Sequence, residues 1–140
     1  MGLFLTTLFL CSSMQGVVVH QGQPISDATV IREVRWSWTS ERYTDTVTTG
    51  PDGRFAFPEI KEDAFWPTVF PHEPYVDQVL TIVWQGKRYP GYFNDKSNYR
   101  AGGEFNLNTL AFSCDLNDPL AAHSVNASGD YSGICKLVQP

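Results

Sequence analysis

The chain has 140 residues and a formal charge of −5, and its ten Lys and Arg are scattered. That excludes a nucleic-acid binder, which needs a clustered basic patch to neutralise phosphates. The length fits one domain that buries roughly 70% of its unfolded surface, enough to fold without a metal.

Aromatics make up 14% of the residues, with nine Pro and eleven Gly. Ring and branched side chains pack well on a pleated surface, so strands and turns are expected rather than a helix bundle. The N-terminal "MGLFLTTLFLCSSMQG" is apolar from Leu3 to Leu10. No Lys or Arg precedes that run, and it is short for a signal peptide and far too short for a membrane span. It is read as a first strand tucked into the fold. The expected compartment is therefore the cytoplasm, or the periplasm if Cys114 and Cys135 form a disulfide.

"GVVVHQGQPISDATVIR" (residues 16–32) reads as apolar run, polar turn, apolar run. In the second run Ala28, Val30, Val34, Trp36 and Trp38 share one parity, with Arg32 as the exception, and Glu33, Arg35 and Ser37 take the other. This period of two is the strand signature. "RYTDTVTT" suits an edge strand. "GPDG" is a strong turn, followed by "RFAFP" with Phe55 and Phe57 on one face, which together read as a hairpin. Residues 59–74 read as a long connection with one short helical turn at "KEDAFW". "YVDQVLTIVWQGKRYPGYF" is a strand pair turning at "QGKR", and "NDKSNYRAGG" is a loop. "EFNLNTLAFSC" is a strand with a bulge near Thr109, "DLNDPLAAHSVNASGD" is a polar connection, and "YSGICKLV" is the last strand.

Seven to eight short strands separated by turns predict an all-β antiparallel sandwich. The chain reads as a single domain over 1–140, with a core sandwich at 14–113. A cysteine-bracketed loop and final strand occupy 114–140. If the segments carrying Cys114 and Cys135 are neighbours, a disulfide joins them and Cys11 is left over.

The two turn-bearing stretches resemble the carboxypeptidase-regulatory-like, or prealbumin-like (transthyretin-like), sandwich with its Ig-like Greek key. Gly16, Val18, Gly22, Pro24, Ala28, Val30, Thr48, Asp52, Gly53, Phe55, Phe57, Pro58 and Ile60 carry the likeness. Further on, "FPHEPYVDQVLTIVWQGKRY", "DKSNYRAGGEF" and the pair "CDL … GIC" resemble a narrower bacterial family of unknown biochemical function that occurs alongside type VI secretion and toxin genes. The resemblance implies a module that binds rather than catalyses, as an immunity protein or secretion adaptor with a toxin for its partner.

The residues themselves offer no catalytic cluster. His20, His72 and His123 are far apart without HExxH or CxxC spacing, and no GxSxG is present. No metal or other cofactor is expected, nor an enzyme. The binding candidates are Trp36 and Trp38 on one strand face, then Trp66, Phe70, His72, Glu73 and Tyr75 on a proline-stiffened loop. Lys96, Tyr99 and Arg100 join them on a second, exposed loop. Stiff aromatic loops suit protein interfaces, because they bury much area with little entropy left to lose. Trp36 and Trp38 fit core packing or surface display. In the second case two coplanar exposed indoles would make a carbohydrate- or peptidoglycan-stacking platform, the alternative function.

Overall fold

The computed structural model describes residues 5–64 and 72–138. Among these are thirteen strands and no helix. They are β1 (Thr6–Cys11), β2 (Ser13–His20), β3 (Gln23–Pro24), β4 (Thr29–Trp36), β5 (Glu41–Thr48), β6 (Arg54–Phe57), β7 (Ile60–Ala64), β8 (Val76–Trp84), β9 (Lys87–Lys96), β10 (Thr109–Asp115), β11 (Ala121–Val125), β12 (Gly129–Gly133) and β13 (Lys136–Leu137). The larger sheet has the order β11-β12-β9-β8-β4-β5. The opposing sheet runs β13-β10-β2-β3, with β6 also on β2, and β1 and β7 form a separate pair.

Alternation decides which side chains meet between the sheets. β4 contributes Val30, Arg32, Val34 and Trp36 to the interior, and β8 contributes Val76, Gln78, Leu80 and Ile82. The facing sheet supplies Met14, Val18, Phe55, Phe57, Leu110 and Phe112. Burying each large apolar side chain stabilises by about 2 kcal/mol. The first strand is as expected: Leu8 and Leu10 are buried, and β1 runs antiparallel to β7.

Several expectations need correction. Residues 60–64 form a strand rather than a helical turn, with Ile60, Glu62 and Ala64 half-buried and Lys61 and Asp63 exposed, because the β1 ladder is available to satisfy their backbone. "GPDG" makes a tight turn, Gly53 N–H donating to Gly50 O at 2.9 Å, but the strands around it do not pair. It carries the chain from β5 in one sheet to β6 in the other. β6 instead lies on β2, where the Phe55 ring covers Gly16 so closely that a Cβ there would sit 2.7 Å from it. The opening stretch likewise closes only a short β2–β3 hairpin before β4 crosses to the opposite sheet. One pairing is parallel, β2 with β10, from Ser13↔Thr109 to Val19↔Asp115, so the smaller sheet is mixed.

No irregularity occurs at Thr109, where β10 simply starts. Register shifts lie instead between Leu80 and Thr81 on β8, where Gly91 is the extra residue of β9, and between Phe9 and Cys11 on β1. "QGKR" is the expected two-residue hairpin, with Gln85 and Gly86 both at positive φ.

The tail is woven into both sheets. β12 joins the larger sheet, the chain crosses at Ile134 and Cys135, and β13 joins the smaller one. Cys114, inside β10, and Cys135, at the crossing, form a disulfide. Ile134 and Cys135 donate their backbone N–H groups to Pro90 O and Gly91 O beside it. Closing a loop of this length stabilises by about 3 kcal/mol. Chemical denaturation with and without reductant is expected to show a loss of that size, and equal stability in both conditions would contradict it.

Candidate functional site

The end of the sandwich beyond β4 gathers four of the predicted aromatics around one hydrogen-bonded chain. Trp36 is the last inward residue of β4 and is only 4% exposed. Its Nε1–H donates to the Tyr99 hydroxyl at 3.0 Å. That hydroxyl lies 2.6 Å from His72 Nε2. Trp38, two residues past Trp36, keeps the inward parity but has left the strand, so its indole is 41% exposed. It stacks on His72 with ring centroids 3.9 Å apart and planes 10° apart. Ser37 N–H donates to Tyr75 O at 3.1 Å, which draws Tyr75 alongside.

Tyr75 is 44% exposed and stands on the outer face next to Asp77 and Asp95, which occupy opposed positions on β8 and β9. A hydrogen bond to Asp95 pushes the Tyr75 hydroxyl pKa upward. Asp77 also titrates above the ordinary carboxylate range, through partial desolvation and then its hydrogen bond to Asp95. Arg35 stands 3.6 Å from Asp77 on the same face.

Two predicted binding residues belong elsewhere. Trp36 is core, so the two-indole stacking platform does not exist. Lys96 is 1% exposed rather than displayed on a loop, since its position on β9 points inward, two and four residues from Asn94 and Tyr92. Its ammonium donates to Phe9 O, Asn98 O and Arg100 O at 2.7 to 2.8 Å. Burial lowers its pKa to about 8, opposed by the nearby charge of Glu104. Arg100 and Glu73 are exposed, as expected. Trp66 and Phe70 lie outside the described residues.

Beneath the aromatic chain lies a polar network. Glu104 is buried and accepts from Ser12 N–H at 2.8 Å, Ser12 Oγ at 2.6 Å and Gln78 Nε2 at 2.8 Å. Gln78 Nε2 also donates to Leu10 O, and Tyr92 donates its hydroxyl proton to Gln78 Oε1. Arg32, fully buried, donates to Asp45 and Pro58 O, and its guanidinium lies 5.0 Å from the Phe57 ring. Its Nη1 is also 3.9 Å from Cys11 Sγ. Desolvation pushes the Cys11 thiol up to about 12. Gln78 was findable in the sequence, as a polar residue on the inward parity of β8; Glu104 carries no periodic signal.

Among the described residues no group of three or more His, Cys, Asp or Glu is arranged to hold a metal. A polar cleft of about 440 Å³ opens between β9 and β12.

Replacing Lys96 by Met leaves three carbonyls without their donor, and stability is expected to fall by about 3 kcal/mol in denaturant titration. Amides of residues 98–104 should then exchange faster. The pH dependence follows from Cys11. Its thiol stays protonated in the folded protein to about 12, whereas the unfolded chain releases the proton from about 9. Stability from this group is therefore complete below pH 9 and is lost as pH rises towards 12. Cys11→Ala is expected to flatten that decline in thermal melts taken from pH 8 to 11, and an unchanged slope would contradict the assignment.

A family model described as a domain of unknown function (DUF6795) matches residues 14–119, most of the chain, and the protein belongs to that family. No curated protein matches the chain.

Proposed function

We propose that this member of the DUF6795 family is a non-enzymatic protein-binding module whose interface centres on Trp38, His72 and Tyr75. The observation that carries the reading is the exposed yet immobilised indole of Trp38. It is stacked on His72, which is tied through Tyr99 to the buried Trp36. A rigid exposed aromatic loses little entropy on binding and buries much area, which is the profile of an interface hot spot.

The partner we propose is a secreted bacterial toxin, which the module binds and neutralises as an immunity protein, or carries as a secretion adaptor. The likeness to the prealbumin-like sandwich and to proteins found beside type VI secretion genes supports this class of partner. The Cys114–Cys135 disulfide supports an oxidising compartment, the periplasm, as the place of action.

Co-expression with the product of each gene adjacent to its own, assayed for toxicity, tests the reading. The wild-type chain is expected to restore growth and to co-purify with the toxin. Trp38→Ala is expected to weaken binding at least 30-fold, equivalent to about 2 kcal/mol, with an unchanged melting temperature. Neither rescue nor co-purification would sink the proposal. Titration with soluble peptidoglycan fragments is the control: binding there that depends on Trp38 would assign the indole to sugar instead.

A further inference from the structure

The larger sheet parts locally where β12 meets β9. β9 pairs with β8 through to Val76↔Lys96, and β12 pairs with β11 from Ala121↔Gly133 to Val125↔Gly129. Between β9 and β12 the ladder holds at Phe93↔Ser132, and the bonds from Ile134 and Cys135 to Pro90 O and Gly91 O continue it on one side, but on the other side no further position pairs among the described residues. Two residues further in the same register, Asp95 would lie opposite Asp130. Asp77 already opposes Asp95 from the other side. Like charges directly opposite one another destabilise a strand pair, so Asp130 would add a third carboxylate to the row that Asp77 and Asp95 already make, and pairing at that position is disfavoured.

The parting opens the 440 Å³ cleft. Residues 94–96 form one wall and Gly129 and Asp130 the other, residues 103–105 lie between them, and Asn106 and Ser128, hydrogen-bonded to each other at 3.0 Å, lie at the margin. Each wall is a strand edge whose opposite edge is already paired. A row of backbone N–H and C=O groups on such an edge is a template for another strand.

Charge specifies the occupant. Asp95 and Asp130 are exposed, and neither is in an ion pair among the described residues. Lys96, the nearest cation, is turned inward onto carbonyls, and Arg100 at the rim is the exposed one. We propose that this cleft receives an extended segment of a partner protein as an inserted strand. Lysine or arginine at alternate positions of that segment would face Asp95 and Asp130. Alternation follows from the strand period, and three residues of wall accommodate roughly 10 Å of extended chain. The proposal rests on the protein-binding reading and names its partner's chemistry. Tyr75, whose hydroxyl feels the Asp95 carboxylate, joins the cleft to the Trp38 surface.

The probe is a capped Thr-Lys-Thr-Lys-Thr-Lys peptide titrated into the full chain and followed by backbone amide chemical shifts at low salt. Shifts are expected to centre on residues 94–96 and 129–131. Asp95→Asn combined with Asp130→Asn should weaken binding at least tenfold, and both positions are exposed, so the fold is retained. Glutamate in place of lysine, or methylation of alternate backbone amides in the peptide, should abolish binding. Shifts centred elsewhere, equal binding of the methylated peptide, or no binding at millimolar concentration would overturn the inserted strand. Failure of the peptide alongside Trp38-dependent toxin capture removes the cleft and leaves the protein-binding reading standing. Binding of the peptide without any toxin capture does the reverse.

Discussion

Two charges taken out of water, the Lys96 ammonium and the Glu104 carboxylate, set conditions that much of the molecule meets. A buried charge is tolerated only when polar groups surround it. Lys96 recruits carbonyls from β1 and from residues 98 and 100, whereas Glu104 takes the Ser12 amide and hydroxyl together with Gln78. The stretch between β9 and β10 has no regular structure of its own, and these bonds hold it in place. Tyr99 sits in that stretch, so the aromatic chain from Trp36 to Trp38 depends on the same two charges.

Arg32 plays a comparable part across the sheets. Its guanidinium reaches Asp45 on the edge strand, the carbonyl of Pro58 and the face of Phe57, with Nε left without a partner among the described residues. Replacing such a group by an apolar one can be neutral, whereas removing Asp45 alone would strand the cation. The polar interior thus fixes which surfaces meet more than it adds stability. It also explains how a chain with six buried polar or charged residues among those described keeps a single arrangement of strands.

Local alternation made the strands legible, and it placed Val30, Val34, Phe55 and Phe57 correctly in the core. Arg32 was visible as an exception, yet its parity already said that it points inward. Trp36 and Trp38 share a parity and differ only because β4 ends between them, a boundary that alternation does not mark. Lys96 reads as a loop residue until β9 is continued through "NDK", after which Tyr92, Asn94 and Lys96 fall on one face. Glu104 was hidden because its partners are 92 and 26 positions away. "GPDG" is a turn as its residues require, but no hairpin forms around it, since turn chemistry bends a chain without choosing the sheet it enters.

The parallel union of β2 with β10 has a consequence for how the molecule is made. Residues 13–19 must wait for residues 109–115, almost a hundred positions later, before the smaller sheet gains its centre. Closure over such a separation is entropically late, so assembly is slow and the centre of that sheet forms after most of the chain has been synthesised. Until then β2 keeps one edge unoccupied, and the interval between emergence and closure is when this protein is most exposed to mispairing with its own copies.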